Sequence, residues 1–355
     1  LPICRQGRTG PAAGATPWTR SPPRQRAAAT MRRASAVGRH YHGGARPGTD
    51  LRPAMPLANA SPYAALDAPL LDRAGREVIV VIVKATFVLR RDGQLALADE
   101  PVPIRPNDVL RDPDNPRSSA LYPSDLCAEK PGTDVIVVGE AVSRTPVTAM
   151  DVAVKVREVT APLRVHGERL FYRGLTGVSI GPAAAFERKP IIYEKAYGGA
   201  SEDWGLVESQ NPSGVGVARS AADLCDTPAP QIEHPARPHT GAGDKHPPAG
   251  YGALLTSWSP RRERAGTFDD VWQATRMPLL PLDFDPRFYN VAHPSLVFDE
   301  PLAAGDTLSL LGMHEDGLLA FCLPALGITL RARFDQSGRV AARPVIDTVL
   351  IEPGK

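Results

Sequence analysis

Residues 77–90 read EVIVVIVKATFVLR, and this stretch sets the fold class. Val78–Val83 is an unbroken β-branched run, the pattern of a strand buried on both faces. Beyond it the period becomes two. Ala85, Phe87 and Leu89 share one face, and Lys84, Thr86, Val88 and Arg90 the other. Asp92-Gly93 then precedes QLALA, and Asp-Gly is the dipeptide that most strongly signals a tight hairpin. The same grammar recurs along the chain. Asp134–Val142 (DVIVVGEAV) reads as another apolar strand, while Met150, Val152, Val154 and Val156 alternate with polar residues as in a half-buried one. Further hairpins are expected between LRVH and RLFY across Gly167-Glu168, between LSLLGMH and LLAFCL across Asp316-Gly317, and between ITLRARF and RVAARPV across a turn ending at Gly338.

Many short strands joined by such turns predict a mainly β protein of antiparallel sheets, sandwich-like or as two packed sheets. A few short helices and long Pro/Gly-rich loops complete it. One helix is expected over Thr267–Arg276, with Thr267 as N-cap, Asp269 and Asp270 in the first turn and Pro278 beyond the end. A weaker helical signal surrounds Ala221–Leu224. Residues 226–250 hold six prolines and three glycines and read as a long surface loop.

The 355 residues suffice for one large domain or two ordinary ones, and 43% apolar with 23% charged residues is ordinary globular composition. The net charge of +2 hides a split: residues 1–54 carry ten arginines and one acid, a net +9, which leaves −7 on the remainder. That first stretch is rich in Arg, Pro, Ala and Gly and short of large aliphatics. It reads as a disordered extension, with Met55 as the start of the β-rich domain at 55–355. A body at −7 repels phosphate backbones, which argues against nucleic acid as a partner. No apolar run nears the ~18 residues of a membrane helix. The cysteines at 4, 127, 225 and 322 form no CxxC pair. Their scatter fits a reducing compartment.

The segment Tyr251–Asn290 carries the chemistry of a grip. Seven of the chain's twenty-one aromatics lie here with five arginines, five carboxylates and no lysine. Trp and Arg are the residues most enriched where proteins hold proteins, and Arg both pairs carboxylates bidentately and stacks on rings. Trp258 with Arg261 or Arg262, and Trp272 with Arg276 one helical turn on, are candidate stacking pairs, and core packing of these aromatics competes evenly with partner contact. Asp283, Asp285 and Arg287 in LDFDPRF form a candidate carboxylate–guanidinium lattice. Tyr197, Gly198, Gly199 and Trp204 make a second candidate patch.

Catalytic patterns are scarce. There is no GxSxG elbow, no HExxH and no phosphate loop in a strand–helix setting. No catalytic residue, metal or cofactor is therefore assigned. Glu233, His234, His239, Asp244 and His246 read as a solvated loop rather than a metal site, because the surrounding prolines rule out paired helical ligands. Lys84 reads as a lysine snorkelling at a sheet margin. The competing reading is a hydrolase or carbohydrate-acting enzyme in which Asp283 and Asp285 form an acid–base pair across a cleft.

The sequence resembles the DUF2169 family of bacterial type VI secretion clusters. The matching pieces are VVIVKATF (80–87), KPGTDVIVVGEA (130–141), VHGER (165–169), YEKAYGG (193–199), NPSGVG (211–216), PAGYG (248–252), the long run 258–294 and IDTVL (346–350). Asn59-Ala-Ser-Pro-Tyr63 is similar to the family's usual opening. The resemblance implies a non-enzymatic adaptor, or effector chaperone, that binds a secreted effector in the cytoplasm and helps load it onto the spike and tip proteins. Members often continue beyond the IDTVL strand, so that strand is expected to lack a neighbour here.

Overall fold

The computed structural model describes residues 27–34 by their backbone, and 57–90, 93–175, 177–201, 203–334 and 338–354. The architecture is mainly β, with several largely antiparallel sheets and one α-helix, Asp270–Thr275, beside short 3-10 turns. The Glu77–Leu89 strand is the longest and lies where its apolar run requires, inside the largest sheet. That sheet runs in the order Val297–Phe298, Thr133–Val137, Val345–Glu352, Ala27–Ala34, Glu77–Leu89, Ala64–Leu71. Leu95–Leu97 pairs with Phe87–Leu89, which closes the predicted hairpin, although Asp92 itself lies outside the described residues. A second sheet runs Ile232–Glu233, Val159–His166, Ala149–Val156, Thr307–Leu311, Leu318–Cys322, antiparallel throughout.

The two sheets bury one continuous core. Phe87, Val135, Val349 and Ile351 from the first meet Val152, Val154, Leu163 and Leu310 from the second. Tyr251, Leu254 and Trp258 fill it from the aromatic segment, and the Tyr251 hydroxyl donates to the Ala161 carbonyl at 2.7 Å. Among the described residues no helix is long and apolar enough to cross a membrane. Cys127, Cys225 and Cys322 are free thiols.

Several expectations change. LRVH does not pair with RLFY: Val159–His166 takes Ala149–Val156 as its partner, and Phe171–Arg173 pairs with Val178–Ile180. The reason is the preceding strand, which offers eight matched residues where a two-residue turn at Gly167-Glu168 would offer four. The helix starts later than expected, because Asp269 rather than Thr267 caps it by accepting from the Trp272 amide at 2.8 Å. Lys84 does not snorkel. It is 1% exposed and donates to Asp125 at 2.7 Å and to the Pro103 carbonyl at 3.0 Å.

Residues 1–54 are expected to be disordered, yet Ala27–Ala34 forms a strand with partners on both edges. Ladder bonds come from the backbone, so such a strand needs no large side chains of its own. The rest of that stretch lies outside the described residues. The same strand gives Val345–Glu352, the IDTVL strand, a neighbour on the edge expected to be bare.

One carboxylate ties the aromatic segment to the central sheet. Asp134 sits fully buried in the Thr133–Val137 strand. It pairs with Lys130 at 2.6 Å and accepts from the Val291 amide at 2.8 Å and the Asn290 side chain at 3.1 Å. Lys130, itself 1% exposed, also donates to the Thr348 hydroxyl of the neighbouring strand. Removing one member of a buried pair strands the other charge, so Asp134→Ala should cost about 3–5 kcal/mol of stability. Denaturant titration checks this, and the Lys130→Met/Asp134→Leu double variant should recover much of the loss.

Candidate protein-binding surface

The Tyr251–Asn290 segment divides into an inward half and an outward half. Trp258 is 2% exposed and packs edge-on against Tyr193, ring centroids 5.3 Å apart. Arg261 is buried beside it and donates to the carbonyls of Leu254 at 2.6 Å and Phe288 at 2.9 Å. Its guanidinium lies 5.1 Å from the Phe288 ring, so it stacks there and not on Trp258. Desolvation lowers its pKa, and the charges of Asp108 and Asp134 oppose that shift. These two predicted grip residues therefore belong to the frame, because a covered ring presents no face to a partner.

Residues 267–283 form a closed loop on that frame. The Thr267 amide and hydroxyl both donate to Asp283, at 3.0 and 2.8 Å, which clasps the loop's two ends. Gly266 before the clasp sits at φ +81°, where a side chain would be strained and a Cβ would meet Pro281 at 2.8 Å. Inside the loop, the Trp272 indole N–H donates to the Leu279 carbonyl at 2.8 Å. Arg276 donates to the carbonyls of Leu280 and Arg73, both at 2.6 Å. Trp272 is half-buried and meets Phe268 edge-on at 4.8 Å, so its predicted stacking on Arg276 gives way to a ring–ring contact.

What this loop presents outward is apolar. Phe268 is 55% exposed, Val271 68%, Met277 61% and Leu282 78%. Four large apolar side chains exposed within one 17-residue loop make this loop the candidate interaction surface. Sequence reading missed these four because it weighted Trp and Arg.

The LDFDPRF carboxylates are committed to local partners. Asp283 is the clasp, and the Thr267 amide, then its hydroxyl, hold its pKa below the ordinary value. Asp285 accepts from Arg287 through both oxygens, and that pairing holds its carboxyl at about 2. A general acid for glycoside cleavage needs the opposite shift. Asp285 and Arg287 thus form the predicted ion pair, while Asp283 lies outside it.

The second candidate patch turns inward as well. Tyr197 is buried and stacked on His239, centroids 5.4 Å apart. A Cβ on Gly198 would lie 2.2 Å from the Asn211 carbonyl oxygen, so this glycine permits a close chain crossing. Gly199, at φ +117°, makes a similar approach to Gly214. Trp204 alone of the four side chains is exposed, at 41%.

The proline-rich stretch 226–250 departs from a plain surface loop. Glu233 and His239 are buried, and Glu233 accepts from His166 at 2.7 Å, Arg169 at 2.9 Å and the His239 amide at 2.8 Å. These partners hold its pKa far below the ordinary range against the desolvation that raises it. Glu168 next to it bonds Lys189, Lys195 and Gln231, which fastens the YEKAYGG segment to the second sheet. Among the described residues no three His, Cys, Asp or Glu side chains are grouped to hold a metal.

Residues 74–355 match the family model described as "Uncharacterized protein conserved in bacteria (DUF2169)". The chain belongs to the DUF2169 family. The match covers the large sheet apart from the Ala27–Ala34 and Ala64–Leu71 strands, the whole second sheet and the clasped loop. No curated protein and no solved structure matches the chain.

Two measurements follow for this DUF2169 protein. Trp258→Ala should lower stability by about 3–5 kcal/mol, as large buried rings do. A chemical melt reads this directly, and a shift under about 1 kcal/mol would put the indole outside the core. Glu168 is held at about 2, against an ordinary 4.5, chiefly by Lys189. A lowered carboxyl stabilises the fold above pH 4.5, and that contribution is lost as pH falls toward 2. Melting temperatures from pH 7 to 2 should show this acid limb shrink in Glu168→Gln.

Proposed function

We propose that this protein is a non-enzymatic adaptor that binds a secreted effector and helps load it onto the spike and tip proteins of a type VI secretion system. The observation that carries the reading is the clasped loop, which exposes Phe268, Val271, Met277 and Leu282 to water. An exposed apolar cluster costs solubility unless another surface covers it. The resemblance of the quoted sequence pieces to a family of type VI secretion clusters supports the same reading. The two carboxylates offered for an enzymatic reading are tied to Thr267 and Arg287 instead of facing each other across a cleft. The partner face is the 268–282 rim with Trp272 and Arg276 behind it, and the Asp285–Arg287 pair lies at its polar edge. The cytoplasm is where such loading takes place, before firing.

The test is stoichiometric co-purification with the effector and spike proteins encoded in the same cluster. Phe268→Asp combined with Leu282→Asp should leave the melting temperature unchanged and weaken the complex by on the order of 2 kcal/mol or more. A folded double variant that binds both proteins undiminished rejects this surface. Turnover of a small molecule that is lost in Asp285→Asn would reject the adaptor reading itself.

A further inference from the structure

The large sheet contains a strand that the family region does not supply. Ala27–Ala34 runs antiparallel to both Glu77–Leu89 and Val345–Glu352, so those two strands are parallel to each other and two strand spacings apart, roughly 9.6 Å. Both walls fall inside the family match at 74–355, and the strand between them falls outside it. The walls are among the most buried strands of the fold, with only their ends exposed. Unpaired N–H and C=O groups along two such edges are costly in the interior, so the slot demands an occupant.

The present occupant is weak in composition. It reads AAATMRRA, four alanines in eight residues, and alanine is depleted in strands. Its ladder to Val345–Glu352 also breaks register between Arg32 and Arg33. Backbone pairing, which any extended chain provides, is what it contributes to the sheet. We propose that this slot is a strand-acceptor site, in which Ala27–Ala34 is an exchangeable occupant and an extended segment of a partner protein takes its place.

The walls specify that segment's chemistry. Register position 29 is level with Phe87 and Ile351, and position 31 with Ala85 and Val349, four residues that belong to the core. Position 32 is level with Lys84 and Thr348, whose side chains engage Asp125 and Lys130. The segment therefore carries apolar, preferably β-branched, residues at two alternate positions and an uncharged polar residue after the second. It contains no central proline, since each inner residue donates to one wall or the other. Main-chain bonds supply affinity and the alternate positions supply selectivity. This inference does not rest on the clasped loop or on the identity of any cargo.

The test uses the full chain carrying Thr30→Pro, which removes a ladder donor at mid-strand. Labelled synthetic peptides of the sequence 27–34, with and without Ala29→Val and Met31→Val, are titrated into the variant and the unaltered chain. The variant should bind at least about tenfold more tightly than the unaltered chain, and the valine peptide more tightly than its parent. Bound peptide should restore amide protection at residues 84–89 and 348–351. A folded variant that binds neither peptide and keeps those amides protected would show that the walls close on each other, which overturns the proposal. Should Thr30→Pro fail to fold, hydrogen exchange on the unaltered chain decides. Amides 28–33 should open well before those of 133–137, and opening only with global unfolding rejects an exchangeable strand.

Discussion

The buried carboxylate of Asp134 is the constraint on which the rest of the molecule depends. Its strand is covered completely, so its charge has no water to fall back on. Lys130 neutralises it directly, and Asn290 and Val291 occupy its remaining acceptor positions. Those last two residues close the aromatic segment, and the segment's folding is thereby coupled to that of the sheet. Arg261, whose guanidinium bonds the carbonyls of Leu254 and Phe288, feels the same charge: Asp108 first and Asp134 second oppose the desolvation that lowers its pKa.

From this follows the division of labour within Tyr251–Asn290. The inward half uses Trp258, Tyr251 and Arg261 to fill space and to satisfy the carbonyls of irregular chain, which a loop crossing a core must do. The outward half uses Trp272 and Arg276 in the same way on a smaller scale, each binding a carbonyl of its own loop. The polar ends of these residues bond carbonyls within the chain, and the apolar rim stands beside them in water.

The fold was legible in the sequence wherever a periodic signal carried it. Val78–Val83 reads as buried on both faces, and the strand is, though unbroken full burial begins only at Ile82; Val78, Ile79 and Val81 are half-buried. The alternation of Val152, Val154 and Val156 marks the core side of their strand. Pairing was less legible. The LRVH strand has two plausible neighbours, and the longer matched ladder decides between them, which no turn dipeptide records. Burial of charge was not legible at all. Lys84 alternates correctly for an outward face, and only the arrival of Asp125 from a distant loop turns that face into interior. Glu233 and His239 behave likewise, since His166 and Arg169 reach them from another strand and turn.

The candidate surface was half legible for a related physical reason. Ring and guanidinium content identifies where a chain invests contact energy, but it does not say whether the contacts are made within the chain or beyond it. The deciding quantity is the count of donors already satisfied. Trp272 has its one donor on Leu279, and Arg276 has two of its five on Leu280 and Arg73. Phe268, Val271, Met277 and Leu282 have no polar side-chain group to satisfy and stand in water, while the Thr267–Asp283 clasp fixes where the two ends of their loop meet.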